Sequence, residues 1–359
     1  VSRLRIIWLL KAFTVICALL FITACRNESG SNSAPETKNA NTSSASTQSA
    51  EIDYGLFCRV ECKDILTLQA SPISIKGKVG VIVSGNFPYG LGTKRLAEQS
   101  AKAYFPNIEL VVGNGNSDPV IQTSVVDDFI AMKVDVLVVD LVEKDTVNPA
   151  LERAKAAGIK VILIDRRTNT EVLTTIKAED VEVGRKAGQM LVTLLNGKGN
   201  IIEMGGTSAS STSIDRNKGI MEAFSGYSDI KVIASQNAHF DQSTGYKVME
   251  DLLRRFPKGQ INGLISHADV MTMGAIQAIK EAGREKEIKV VSVDAQETGL
   301  AAIETGAIDA IVAYPIVMPM GIIAAAKTLA GEPLPKSIEL EAPIVTKENV
   351  ERYKGKTGY

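Results

Sequence analysis

Val161-Ile-Leu-Ile-Asp165-Arg166-Arg167 decides the fold. Four apolar residues, three of them β-branched, run into one acid and two bases. This is the pattern of a parallel strand buried on both faces, with charged groups at its carboxyl end. Pro149 to Lys160 before it reads as a helix closing at Gly158. In an open α/β sheet, ligands sit in the crevice beyond the carboxyl ends of the strands. Asp165 and Arg166 fall at that place. A carboxylate accepts hydroxyl hydrogens and a guanidinium donates a planar fork, so the pair suits a small polyhydroxylated molecule. A strand-end ion pair that only closes the fold is the alternative reading.

The same alternation extends outward. Upstream, strands are expected at Lys78–Val83, Ile108–Val112 and Val134–Val139, with helices at Thr93–Tyr104, Pro119–Met132 and Asn148–Ala157. Pro119 suits a first helical turn. Leu173–Ile176 is a short strand closing this series. Downstream a second series begins with a helix at Val183–Leu195. It continues with strands at Ile201–Met204, Lys231–Ala234, Ile261–Ser266, Lys289–Val293 and Ile308–Val312. Helices separate them, and Met318–Leu329 is the last. Strand–helix–strand spacing of this kind implies parallel sheets. The fold class expected is α/β, with two doubly wound parallel-sheet lobes facing a cleft and joined by a three-strand hinge. The series break near Glu179-Asp180, Tyr314-Pro315 and Ile338–Glu341. Residues 76–180 with 315–339 form the expected N-terminal lobe, and 181–314 with 340–350 the C-terminal lobe.

The 359 residues carry a net charge of −1, which gives no electrostatic footprint for a nucleic-acid partner. Two histidines leave little material for a metal centre or a histidine-based catalytic cluster, and neither metal nor cofactor is expected. Arg3, Arg5 and Lys11 precede an apolar run, Ala12–Phe21, which ends in Ile22-Thr-Ala-Cys25. A basic flank, a short apolar core and small residues define an export signal. The run is short for a membrane span, which needs about 20 residues. With Cys25 after the small pair, residues 1–25 resemble a bacterial lipoprotein signal peptide and lipobox, which implies Cys25 as the lipidation site. Residues 26–75 read as a flexible linker that carries the Cys58/Cys62 segment. Residues 26–50 hold almost nothing apolar and cannot offset their ordering entropy. In an exported chain Cys58 and Cys62 form either a disulfide or two free thiols, and their short spacing argues against a regular helix there.

Other motifs carry less. Gly113-Asn-Gly115 lacks the third glycine of a dinucleotide loop. Gly205-Gly206 and the hydroxyl-rich residues after it lack the lysine of a P-loop, so a cleft loop is the better reading. No Gly-x-Ser-x-Gly occurs and no Ser–His–acid triad can be spaced from these residues; no catalytic residue is assigned. His239 and His267 each follow a strand and could reach the cleft, although a lone histidine is more often a structural hydrogen-bonding group than a base. Asp241 and Asp269 precede helices and have the look of N-caps. A distributed set remains at strand ends: Ser84, Phe87, Tyr89, Asp165, Arg166, Arg216, Phe240, Asp269, Asp294 and Tyr314. Aromatic faces suit sugar C–H groups, and the charged groups make directional hydrogen bonds.

Taken in order, Val81-Ile-Val-Ser84, Phe87-Pro-Tyr89, Val161–Arg166, Ser213-Ile-Asp-Arg-Asn-Lys-Gly219, Ala238-His-Phe-Asp241, Ser266–Gln277 and Val291-Ser-Val-Asp294 form a specific set. In it the chain, from about Lys76 to Val350, resembles the type I periplasmic sugar-binding proteins of ABC importers, in their ribose and galactofuranose branch. The resemblance implies two lobes joined by three crossovers and closing on a sugar. Asp165 and Arg166 would grip hydroxyls from one lobe and Asp294 from the other. Phe87, Tyr89 and Phe240 would stack on the ring, and Arg216 is a candidate contact. Three departures are visible: Ala268 stands where the family commonly has Asn, Tyr314-Pro315 replaces a cleft amide, and Ile214 replaces an arginine found in ribose binders. These imply a less polar pocket. The expected ligand is a small sugar or polyol. The expected partners are an ABC permease and ATPase, with the membrane reached through lipid at Cys25 and the chain acting as a monomer. The place implied is the cell envelope, on the extracytoplasmic side. A sensory receptor coupled to a signalling protein is the second reading.

Overall fold

The computed structural model describes residues 51–359, and the readings placed on the signal, Cys25 and residues 26–50 lie outside them. The first element, α1 (Val60–Leu66), is followed by β1 (Gly77–Val83), α2 (Pro88–Tyr104), β2 (Ile108–Asn114), α3 (Pro119–Ala131), β3 (Val136–Asp140), α4 (Asn148–Ala156), β4 (Lys160–Ile164) and β5 (Thr174–Ala178). The second series runs α5 (Asp180–Leu194), β6 (Gly199–Gly205), α6 (Ser211–Phe224), β7 (Ile230–Asn237), α7 (Gln242–Arg255), β8 (Gly263–Ser266), α8 (Asp269–Glu281), β9 (Lys289–Asp294), α9 (Glu297–Thr305) and β10 (Ala310–Ala313). Then come α10 (Met320–Leu329), β11 (Ser337–Leu340) and β12 (Ile344–Val345).

Two six-stranded sheets result, in the orders β11-β5-β4-β3-β1-β2 and β12-β10-β9-β8-β6-β7. Every pairing is parallel except β10 with β12, so the second lobe departs from an all-parallel sheet at one edge. The central strands are buried along almost their whole length, as Val136–Asp140 shows, because helices cover both faces. The chain passes between the sheets three times, after Ala178, after Ala313 and after Leu340. α10 returns to cover β3 and β4 of the first sheet. Thus each lobe is made from separated stretches of sequence.

Local chemistry explains the element ends that matter for the cleft. Asp118 caps α3 by accepting from Val120 N at 2.7 Å, with Pro119 in the first turn. Asp241 caps α7 through Thr244 N at 2.8 Å, and the expectation for that residue holds. Asp269 is different: Ala268 is the cap of α8, and the Asp269 carboxylate turns away to another loop. α5 and α6 lie against each other so closely that a Cβ on Gly184 would stand 2.1 Å from the Arg216 carbonyl oxygen. Glycine there lets α6 carry Arg216 down to the cleft floor.

Residues 51–75 correct the expectation of a flexible linker. Phe57, Cys58, Cys62, Leu66 and Ile75 are buried in the core, and α1 lies on α10 and β11. The physical reason is apolar content: Ile52, Leu56, Phe57, Ile65, Leu66 and Leu68 give this stretch surface worth burying. Cys58 and Cys62 are joined in a disulfide with a Cα separation of 5.2 Å. The helix expected to be excluded there exists, because it begins at Val60 and only one of the two cysteines is inside it.

Candidate functional site: a cleft between two Asp–Arg–Asp clusters

The carboxyl ends of both sheets face a cleft lined by Phe87, Tyr89, Asp165, Arg166, Thr212, Arg216, Phe240, Ala268, Val270, Asp294, Gln296 and Tyr314. Eight of the ten residues expected at the site line it. Each lobe contributes one arginine held between two aspartates. On the first, Arg166 Nε lies 3.2 Å from Asp165 and 3.7 Å from Asp140. On the second, Arg216 donates from Nε to Asp180 at 3.1 Å and sits 3.7 Å from Asp294 through Nη1. All six side chains are buried. Unpaired, such groups would be costly; here each charge has an opposite neighbour.

Backbone carbonyls fix both guanidinium groups. Arg166 Nη1 donates to Leu141 O and Val142 O, and Arg216 Nη1 to His267 O. The guanidinium planes also face aromatic rings, Arg166 over Phe240 at 5.6 Å and Arg216 over Tyr314 at 4.5 Å. The acids are held in unusual backbone: Asp165 has φ 65° and Asp294 φ 118°. Positive φ at non-glycine residues costs energy that a fold retains mostly at binding sites. Two further residues at one lip, His239 (φ 55°) and Phe240 (φ 57°), share the feature.

Burial shapes the protonation of this group. It raises Asp140 to about 7, against the Arg166 charge and with Asp165 adding to the rise. Asp180 is raised to about 6, again first by burial, with Arg216 and Lys177 opposing. Asp294 is pushed well up by burial, with Arg216 opposing and Asp269 reinforcing. Arg216 is pushed further above its ordinary value because Asp180 and Asp294 outweigh its own burial.

Phe87 and Phe240 form the apolar jaws, with stacked rings 6.2 Å apart between centroids. Phe240 reaches this position because residue 206 is glycine: a Cβ there would stand 2.1 Å from the Phe240 ring. Two stacking contacts at about 3.5–4.0 Å each need roughly 7–8 Å between flanking rings. The jaws as they stand are too close for a sugar ring between them. The enclosed volume agrees, at about 30 Å³, or room for one or two water molecules. Any pentose or larger guest therefore requires the lobes to part.

Two expected site residues stand behind the wall instead. Ser84 donates to Asp140 and so supports the Asp140–Arg166 pair. Asp269 accepts from Ser292 Oγ and from Gln296 N, fixing the loop that follows Asp294. Thr212, Val270 and Gln296 were not foreseen, and neither were Asp140 and Asp180 as supporting acids. Asp140 had the same signal as Asp165, an acid ending an apolar strand. His267 is a buried hydrogen-bonding group, 3.0 Å from Glu203 through Nε2, while His239 is exposed. Among the described residues no cluster suits a metal ion, and no helix is long and apolar enough to cross a membrane.

Comparison with known proteins agrees with this geometry. Residues 81–331 match the periplasmic binding protein domain family. A xylitol-binding protein of Mycolicibacterium smegmatis is 34% identical over 230 residues, 64% of this chain and 65% of its own length. A galactofuranose-binding protein of Escherichia coli is 37% identical over 195 residues, 52% of this chain and 61% of its length. The chain thus spans just under two thirds of these two relatives. Among solved structures, a galactofuranose binding protein superposes with a TM-score of 0.75 at 30% identity, covering 79% of this chain and 99% of that one. The fructose-binding periplasmic domain of a hybrid two-component system gives 0.74 at 29% identity, over 77% and 92%. The chain belongs to the periplasmic binding protein family, as a type I sugar-binding member of the ribose and galactofuranose branch.

Proposed function

We infer that this protein captures a neutral sugar or polyol between its lobes and presents the closed form to an ABC importer. The observation that carries the reading is the pair of Asp–Arg–Asp clusters, one in each lobe, lining one cleft with the aromatic jaws. Acceptors on Asp165, Asp294 and Gln296 and donors on the arginines suit hydroxyl groups, while Phe87, Phe240 and Tyr314 suit C–H faces. Both arginines are already paired with aspartates, which disfavours an anionic guest such as a uronic acid. Relatives named for xylitol, galactofuranose and ribose are in keeping with this class. The protein works on the extracytoplasmic side, held to the membrane by lipid at Cys25. A thermal-shift screen of the full chain against neutral furanoses, pyranoses, polyols and cyclitols tests the reading. Stabilisation by at least one neutral compound and by no uronic acid is expected, and a response to anions alone would reject it.

A second reading is a sensory receptor. It is favoured by the likeness to a periplasmic domain of a hybrid two-component system. Pull-down of the ligand-loaded form with a permease, against a sensor kinase, separates the two.

A further inference from the structure

The stretch after β12 leads from the second lobe back to the first. Val350 and Tyr353 are buried in the core of the second lobe. Lys354 pairs with Glu304, and Gly355 N donates to Glu297 Oε1 at 2.7 Å, both partners being on α9. Three residues on, the chain has reached the first lobe, where Arg95 of α2 donates to Gly358 O. Tyr359 then lies with its ring 6.1 Å from that of Tyr89, and its hydroxyl donates to Tyr314 O at 3.3 Å. Tyr89 and Tyr314 are themselves 6.4 Å apart and both line the cleft. Tyr359 does not line it.

We propose that Tyr359 is a positioning residue for the binding cleft: it backs Tyr89 and Tyr314 from outside and, through the strap that carries it, ties their placement to lobe closure. This rests on the cleft being the ligand site, but its mechanical part does not depend on which ligand is taken. Tyr89 belongs to α2 of the first lobe and Tyr314 to the second crossing between lobes. The Tyr359 ring lies against Tyr89 and its hydroxyl bonds the Tyr314 carbonyl, so one side chain holds both only while the lobes keep their closed relation. The strap is fixed to α9 at one end and to α2 at the other, so opening must loosen one of the two attachments. Ligand contacts that close the lobes then also seat Tyr359, and the two favour each other.

Hydrogen exchange of the full, ligand-free chain tests this. In Tyr359→Ala, amides of residues 87–96 and 313–318 are expected to exchange at least about tenfold faster, while β6 and β8 keep their protection. Tyr359→Phe, which keeps the ring beside Tyr89 but loses the hydroxyl bond to Tyr314 O, is expected to restore protection at residues 87–96 and not at 313–318. Unchanged exchange at both segments in Tyr359→Ala overturns the proposal. So does equal, uniform loss across all strands in the Ala and Phe variants, which marks a purely structural residue. If Tyr359→Ala does not fold, Arg95→Ala decides: faster exchange confined to residues 87–96 supports the strap, and none rejects it. A second arm measures binding of xylitol, D-ribose, D-fructose, L-arabinose and myo-inositol. Any compound bound by the wild type is expected to dissociate about tenfold faster from Tyr359→Ala, and an unchanged dissociation rate counts against positioning. Absence of binding by the wild type to all five bears on the ligand class and leaves the exchange result to decide this inference.

Discussion

Arg167 and Asp215 join the two lobes across the mouth of the cleft in a two-pronged ion pair, Nε to Oδ2 at 2.7 Å and Nη2 to Oδ1 at 2.6 Å. Arg167 follows β4 of the first sheet, and Asp215 lies on α6 of the second lobe. Two more bonds run beside it, Arg167 N to Ser211 Oγ at 3.1 Å and Lys144 N to Ala209 O at 3.1 Å. Closure is therefore fastened by protein groups alone, at the lip, in addition to whatever a ligand contributes at the centre.

Arg167→Ala or Asp215→Ala should release this fastening. Partly exposed pairs contribute up to about 1 kcal/mol, or roughly fivefold in an equilibrium. Ligand association should quicken, because the closed form admits nothing larger than water, and dissociation should quicken as well. Stopped-flow measurement with any ligand found in the screen gives both rates. The double variant should match either single one, and strictly additive effects would show that the two residues act apart.

Asp165→Ala and Arg166→Ala should each abolish binding while leaving a cooperative melt. Removing one partner of a buried charged hydrogen bond costs about 2–5 kcal/mol, roughly 30- to several-thousand-fold in affinity. Calorimetry on folded variants is the measurement. Near-wild-type affinity in both would move the ligand elsewhere.

Stability of the ligand-free protein should rise as pH falls from 8 to 5. Asp140 and Asp269 are each raised to about 7 and Asp180 to about 6, burial being the largest cause in all three. Between the ordinary carboxylate value and these values the folded protein binds protons that the unfolded chain has lost. Stability therefore declines as pH rises through this window, by up to about 1.4 kcal/mol per unit for each such group. Glu203 acts oppositely, being lowered to about 2, although burial alone would raise it, because His267, Asn217 and Ser235 hydrogen-bond its carboxylate. The stability it adds is lost only as pH falls below about 4.5, outside the window. Thermal melts at pH 5, 6, 7 and 8 should show a monotonic fall, and Asp140→Asn should make it shallower.

Gly206→Ala should push Phe240 off its position. The added methyl meets the ring at 2.1 Å, and overpacking of this kind costs about 1–3 kcal/mol. A lower melting temperature with a disproportionate loss of ligand affinity is expected. A variant that melts lower but binds normally would show that the jaw is not set by residue 206.

Much of this was legible in the sequence. The alternation of apolar runs with amphipathic stretches marks both sheets, because strands buried on two faces must be continuously apolar. Acids at strand ends mark the cleft, and Asp165, Arg166 and Asp294 were found in that way. What escaped notice depends on contacts between distant residues. The short edge strands β11 and β12 have too few residues for a period to show. Gln296 lines the cleft after a turn through Asp294 (φ 118°) and Ala295 (φ 67°). Residues 57–66 gave apolar content but no period, so their burial was readable only against α10 and β11. Ser84 and Asp269 had the right residue types at the right strand ends, and hydrogen bonds to Asp140 and Ser292 turned them aside.

The third crossing has a consequence for how the molecule is made. β5, at 174–178, is completed by β11 at 337–340, and β10 by β12 at 344–345. Neither sheet has its last strand until some 340 residues of chain are available. A partially synthesised or partially translocated chain would display the bare edges of β5 and β10, and bare edges template pairing with other chains. Such late closure of contacts far apart in sequence is slow. Chains cut short before Leu340 should accordingly gather into aggregates instead of folding into one good lobe and one poor one.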